Sequence, residues 1–259
     1  MMLEDGLLPD IPRGRIEAAF AAAPGNELAS GKFASPESSS ALVANGFGWF
    51  LERPDQLPCF VDALKSDWQV RDLRLEAEMR FPWSGGRHPW LDVALELPGH
   101  LIGIESKRYE PFRSRKAPSI SDAYFRDVWG EDMTRYGAVL QALRNEELSY
   151  DTLDAAQLVK HAYGLRTVLH REERETGARR DGWLIYLYAE PSAWPDGRPV
   201  NPYRIAQHRE EVAEFTDRVS GDEITFHAMS WRELLMSWEA NGPQSLSRHA
   251  LGLSKSFGL

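Results

Sequence analysis

The stretch LDVALELPGHLIGIESK, Leu91 to Lys107, restricts the fold more than any other part of the chain. Two strongly apolar segments meet at Pro98-Gly99, a turn-forming dipeptide, so they read as the strands of a hairpin. Each carries a charged centre, Asp92 in the first and Glu105-Ser106-Lys107 in the second. Alternate residues of a strand share a face, which groups Asp92 with Ala94 and Glu96, and Glu105 with Leu101, Gly103 and Lys107. A two-residue loop sets Leu97 opposite His100, Ala94 opposite Gly103 and Asp92 opposite Glu105. Pro-Gly does not suit the primed turns that such loops favour. A four-residue loop keeps the same facing, whereas a three-residue loop separates the acids unless a bulge restores them.

Carboxylates directly opposed across a ladder repel, and Ala94 and Gly103 leave space above them. A cation is the simplest remedy, and magnesium takes one or two carboxylates together with substrate phosphate. The competing reading is a hairpin with solvated acids at its end. Lys107 stands two residues past Glu105 on the same face, about 6.6 Å along the strand. An ammonium there can orient a water or stabilise charge on a phosphate, or it can simply pair with an acid.

The remaining pattern places this hairpin in an α/β sandwich with a mixed central sheet flanked by helices. Leu73 to Phe81 alternates apolar and charged residues as a half-buried strand, and Trp183 to Ala189 and EITFHAMS supply two more. A helix is expected from a Ser35 N-cap, with Pro36 and Glu37 in its first turn, to Pro54. A short helix over Gln56 to Leu64 follows. Further helices are expected over Asp122–Trp129, Asp132–Arg144, Leu153–Glu175 with a break near Gly164, Ile205–Val219 and WRELLMSWEA. Residues 1–34 read as a leader to a single domain over 35–259.

A net charge of −9 argues mildly against a nucleic-acid binder but does not exclude a local basic groove. The one cysteine, Cys59, rules out a disulfide framework or a cysteine-based zinc site within one chain. The acidic start MMLEDGLLPD is not a signal peptide, and no apolar run approaches a membrane span, so a cytoplasmic location is expected.

Asp92, twelve intervening residues and then Glu105-Ser106-Lys107 resemble the signature of the PD-(D/E)xK, or restriction-endonuclease-like, nuclease superfamily. Trp90 and Leu91 separate Pro89 from Asp92, a departure from the motif's name. SPESSSALVANGFGWFLE resembles the family's opening helix, which implies a metal- or water-holding role for Glu37, with Glu52 as runner-up. AAQLVKHAYGL resembles a helix that several branches carry after the motif, through Gln157, Leu158 and His161. The matching stretches span roughly residues 30–190 and look like a bacterial group of restriction-endonuclease-like proteins. The resemblance implies a four-stranded mixed sheet flanked by helices. It also implies a Mg²⁺-dependent deoxyribonuclease, Mn²⁺ being the alternative ion, with Asp92, Glu105 and the Ser106 carbonyl as metal ligands. Lys107 and Gln157 then act as water- and phosphate-positioning groups. Glu76 and Glu78 are further acids near the site, expected instead to pair with Arg74 or Arg80.

The loop RYEPFRSRK supplies Arg108, Arg113, Arg115 and Lys116 beside Tyr109 and Phe112, a basic aromatic rim suited to DNA. Lys160 and His161 extend it. A nuclease that cuts both strands would invite a homodimer. Two other readings compete: a catalytically idle relative that binds nucleic acid or a partner protein, and a glycosidase using paired acids without metal.

Overall fold

The computed structural model describes residues 6–114 and 120–259. In chain order the elements are α1 (Arg13–Ala22), α2 (Ser39–Phe47), β1 (Asp72–Glu78), β2 (Trp90–Glu96), β3 (His100–Lys107), α3 (Thr134–Arg144), α4 (Ala155–Thr176), β4 (Asp181–Tyr188), α5 (Pro202–Val219), β5 (Ile224–Ser230), α6 (Trp231–Asn241) and α7 (Gln244–Phe257). The five strands form one sheet in the order β1-β2-β3-β4-β5. The first three are antiparallel neighbours, while β3, β4 and β5 run parallel. Parallel neighbours need a crossover, and α4 and α5 supply the two. The sheet therefore carries one strand more than the resemblance implied.

Two apolar layers cover the sheet. Val93, Leu95, Ile102, Ile104, Ile185 and Leu187 face one core, completed by α2, α6 and α7. Leu101, Leu184, Tyr186 and Ile224 face the other, completed by α3, α4 and α5. The strand residues alternate between these cores, so the central strands are buried on both sides. Residues expected as a leader join the first core through Leu7, Leu8, Ile11, Ile16, Phe20 and Phe33.

Several local expectations change for identifiable reasons. The first long helix is capped by Ser38, whose hydroxyl accepts from the Ala41 amide, so Ser35 is not the cap and Glu37 precedes the helix. Three serines in a row make the cap ambiguous in sequence; the burial of Ala41 and Leu42 selects the register. The segments expected as helices at Gln56–Leu64 and Asp122–Trp129 form only short 3₁₀ turns. Beyond WRELLMSWEA, where the sequence reading assigns no element, the chain forms a further helix, α7, whose Leu246, Ala250, Leu253 and Phe257 bury one face.

Helix α4 runs unbroken through Gly164. A Cβ at Gly164 would lie 2.7 Å from Met79 Cβ and 2.8 Å from Pro89 Cγ, and one at Gly103 would lie 2.3 Å from Leu91 Cδ1. These two glycines let α4 press onto the sheet beside the hairpin. Alanine normally stabilises a helix interior by about 1 kcal/mol relative to glycine. Here overpacking costs about 1–3 kcal/mol. Gly164→Ala should therefore lower the thermal midpoint, and a midpoint at or above wild type would show that the approach is not tight.

Candidate active site

The hairpin closes on a two-residue loop: Leu97 N donates to His100 O at 2.9 Å, and His100 N returns to Leu97 O at 3.4 Å. Val93 pairs with Ile104 and Ala94 with Gly103, the register in which Asp92 and Glu105 come opposite each other. The strand pairing stops there. Ser106 N, which would face Leu91 in a continuing ladder, donates instead to Asp92 Oδ2 at 2.6 Å. A side-chain oxygen thus replaces a strand carbonyl and pins Asp92 against β3.

Helix α4 completes the site through matching periods. Residues four apart on a helix advance about 6 Å, close to the 6.6 Å between alternate strand residues. Leu165 packs over Gly103, and His161 Nδ1 lies 3.3 Å from Glu105 Oε2. Gln157 lines a 270 Å³ cavity with Lys107, Glu110, Arg113, Asp154 and Tyr186. Asp154 caps α4 by accepting from Gln157 N at 3.0 Å, which fixes where that turn begins. The i, i+4 spacing of Gln157 and His161 thus sets both residues along the Glu105-Lys107 face.

Glu76 departs from the sequence expectation. Arg74 pairs with Glu96 and Arg80 with Glu78, which leaves Glu76 without either arginine. Its φ is +50°, left-handed backbone that non-glycine residues seldom adopt. Leu75 pairs with Val93 and Ala77 with Leu91, so Glu76 stands level with Asp92 across β1 and β2. Leu75 and Val93 pack into the α2 core, whereas Ala77 and Leu91 pack into the α4 core. The twist at Glu76 turns the strand over with no residue inserted. Acids from three neighbouring strands thereby come to one level of the sheet. The sequence signal was available: Glu76 lies in an alternating strand, but alternation alone cannot reveal the inversion.

The charges act on one another. Burial, then Asp92 and Glu105, pushes the Glu76 carboxyl up to about 8. Burial and the facing Glu105 raise Asp92 well above the carboxylate range, and burial raises Glu105 too. Lys107 contacts Glu105 Oε1 directly. Burial opposes its charge, but Glu105 and Asp92 outweigh that and hold its ammonium above the ordinary lysine range. His161 is pushed down to about 3, by burial and then by Lys107, so it stands neutral beside Glu105.

Glu110, unmarked in the sequence reading, borders both Lys107 and α2. Its carboxylate accepts from Ser39 Oγ at 2.6 Å and from Arg108 N at 2.8 Å. Although burial works against it, Lys107 and these bonds hold it below the usual carboxylate range. Glu37 lies at the rim, ion-paired with Arg113, and Glu52 is exposed beyond α2. Arg108 is 5% exposed, and its guanidinium donates to the Pro36 and Phe257 carbonyls, so its cation is spent on packing rather than offered to a phosphate. His161 is likewise buried, against Glu105 rather than on a surface. Lys160 is half-buried over the Tyr124 ring, 5.1 Å from its centroid. Arg115 and Lys116 lie outside the described residues.

Among the described residues, no three His, Cys, Asp or Glu side chains stand close enough to hold an ion by themselves. A hard cation that takes one or two carboxylates and completes its shell with water and substrate needs no third. Asp92, partly buried, and Glu105, buried, are two carboxylate donors that fit that requirement.

A carboxyl whose pKa is raised by folding contributes most when protonated, and that contribution is lost as pH rises through the folded value. Wild type should therefore lose thermal stability relative to Glu76→Gln from about pH 4.5 to about pH 8, the interval over which Glu76 is shifted. A gap between the two melting curves that does not vary with pH would refute the placement of Glu76 among the site acids.

Comparison with known families matches residues 8–255 to the family described as restriction endonuclease associating with ARP. No curated protein and no solved structure matches the chain. No helix among the described residues is long and apolar enough to cross a membrane. With the hairpin acids, the lysine and the mixed sheet in place, the chain belongs to this restriction-endonuclease-like family.

Proposed function

We propose that the protein is a nuclease that hydrolyses DNA phosphodiester bonds with the help of a divalent cation. The observation that carries this reading is the convergence of Asp92, Glu105 and Lys107 at the end of the β2–β3 hairpin, in a chain of this family. Asp92, Glu105 and the Ser106 carbonyl are the groups that would hold Mg²⁺, or Mn²⁺ in its place. When bound, such an ion supplies Lewis acidity toward the phosphate and lowers the pKa of water.

The chain's own residues then divide the remaining work. Lys107 brings a fixed positive charge to the edge of the cavity, where its ammonium can hold the attacking water and stabilise charge on the phosphate oxygens. His161, neutral and buried, braces Glu105 from α4. Gln157 faces the same cavity and donates to a phosphate oxygen. Arg113 and Lys160, with Arg115 and Lys116, contact the flanking phosphates. Glu37 holds Arg113 at the rim until substrate competes for it. The water adds to phosphorus and gives up a proton to solvent, and the ester oxygen leaves and takes a proton from solvent. Cutting both strands would require a second copy, which makes a homodimer the natural working unit.

One observation favours a second reading. Lys107 rests directly on Glu105, and the described residues hold no three-ligand cluster. A catalytically idle nuclease-fold protein that binds nucleic acid or a partner protein would tolerate that closure.

Incubation of the protein with linear and circular DNA and Mg²⁺ should yield cleavage that chelation abolishes. Glu105→Gln should eliminate it, and Lys107→Ala should reduce the rate by about 10²–10⁴-fold. Circular dichroism of the variants separates loss of chemistry from loss of fold. Cutting by Lys107→Ala at the wild-type rate would remove the assignment, and DNA binding without cleavage would leave the idle reading.

Metal binding to the folded state alone raises the melting temperature by mass action. Mg²⁺ should therefore stabilise wild type but not Asp92→Asn. Equal stabilisation of both would place the ion elsewhere.

A further inference from the structure

The far end of α2 carries a second cavity, of 480 Å³, walled by the N-terminal segment, the 3₁₀ turn after α2, and α7. It is separate from the acid site: Ser39, at the start of α2, bonds to Glu110, whereas this cavity lies past the helix's other end at Trp49 and Arg53. Ser245, Arg248, His249 and Gly252 line it from one face of α7.

Its cations are prepared rather than spent. Arg53 Nε donates to the Trp49 carbonyl at 2.9 Å, and its guanidinium lies 4.1 Å over the Trp49 ring. The same ring also stacks on His249, with centroids 5.6 Å apart and planes 23° apart. The indole thus fixes Arg53 and leaves its terminal nitrogens for a ligand. Among the described residues, neither Arg53 nor Arg248 forms a salt bridge.

Two more features point to an occupant. Helix α7 starts without a side-chain cap and without an acid in its first turn, where Ser245 meets the cavity. The Leu246 and Ser247 amides donate to the Pro243 carbonyl, so the positive helix end favours an anion through the Gln244 and Ser245 amides. Gly252 sits inside α7, where glycine is unfavourable, yet a Cβ there would meet nothing within 4 Å. Its lack of a side chain serves no internal packing; it keeps the cavity open.

We propose that this cavity binds a 5′-phosphorylated nucleoside, either free or at the end of a nucleic-acid strand. Arg53 and Arg248 grip the phosphate as paired planar donors, assisted by Ser245 and the α7 amides. Leu8 and Pro9 form the apolar wall for the base. Asp10, at the mouth, accepts from a ribose hydroxyl or a base amino group and repels further phosphates, which selects one phosphate over three. The volume is in the range of pockets that enclose molecules of this size.

The test is calorimetric titration of the full chain, with EDTA present to prevent cleavage. The probes are adenosine 5′-monophosphate, adenosine, and one short oligonucleotide with either a 5′-phosphate or a 5′-hydroxyl. The monophosphate, the 5′-phosphorylated oligonucleotide, or both should bind more tightly than their unphosphorylated forms. The monophosphate alone identifies a free nucleotide as the source, and the oligonucleotide alone a strand end. Gly252→Leu should fill the cavity and abolish this preference, and Arg53→Gln with Arg248→Gln should weaken it at least tenfold. Melting curves establish that the variants fold; should Gly252→Leu not, the arginine pair carries the test. Binding indifferent to the 5′-phosphate, or unchanged in folded variants, would overturn the proposal.

Discussion

One lysine stands against three acids wholly or partly withdrawn from water. Asp92, Glu105 and Glu76 each resist ionisation, and Lys107 is the cation that most directly opposes them. Removing charges from water is expensive unless the partner geometry is good. Lys107 supplies that geometry toward Glu105, and the Ser106 amide supplies it toward Asp92. Among the described residues Glu76 has no comparable partner, and its pKa is raised. One ammonium does not suffice to keep all three acids ionised at one level of the sheet, and a divalent ion is what would let them ionise together. The arrangement of α4, the cap at Asp154 and the glycines at positions 103 and 164 all serve to hold these groups in place.

The inversion at Glu76 has a cost of its own. A non-glycine residue in left-handed backbone loses roughly 1–3 kcal/mol, and such strain persists only where the surroundings enforce it. The surroundings here are two cores that demand opposite faces of the same strand: Leu75 belongs to one and Ala77 to the other. The strain lets β1 contribute an acid to the hairpin's polar end while keeping its apolar residues covered. Packing and chemistry thus meet in a single backbone rotation.

Arg108 shows how the site is tied to the rest of the molecule. It follows Lys107 directly, yet it turns into the opposite layer, where it donates to Pro36 ahead of α2 and to Phe257 at the end of α7. Its guanidinium also lies 5.0 Å from the centres of the Tyr109 and Phe257 rings. Helix α7, which walls the second cavity, and α2, which leads to it, are therefore both anchored, at their other ends, beside the lysine of the acid site.

The sequence by itself determined the hairpin, because a period of two and a turn dipeptide are local properties; among the loop lengths it left open, the structure selected two residues and with them the facing of Asp92 and Glu105. It also determined the pairing of Gln157 with His161 on one helical face, since a four-residue step is equally local. The tertiary structure alone decided which charges are available. Arg108 and Arg113 are two of the cations in RYEPFRSRK, yet one is sealed between carbonyls and the other lies at the rim. Glu76 and Glu78 occupy one strand two residues apart, yet one joins the acids and the other pairs with Arg80. The start of α2 and the existence of α7 were decided in the same way, by which apolar residues the sheet could cover. Composition records how many charges a chain has; only packing determines which of them remain unpaid, because burial and partner distance act across residues far apart in sequence.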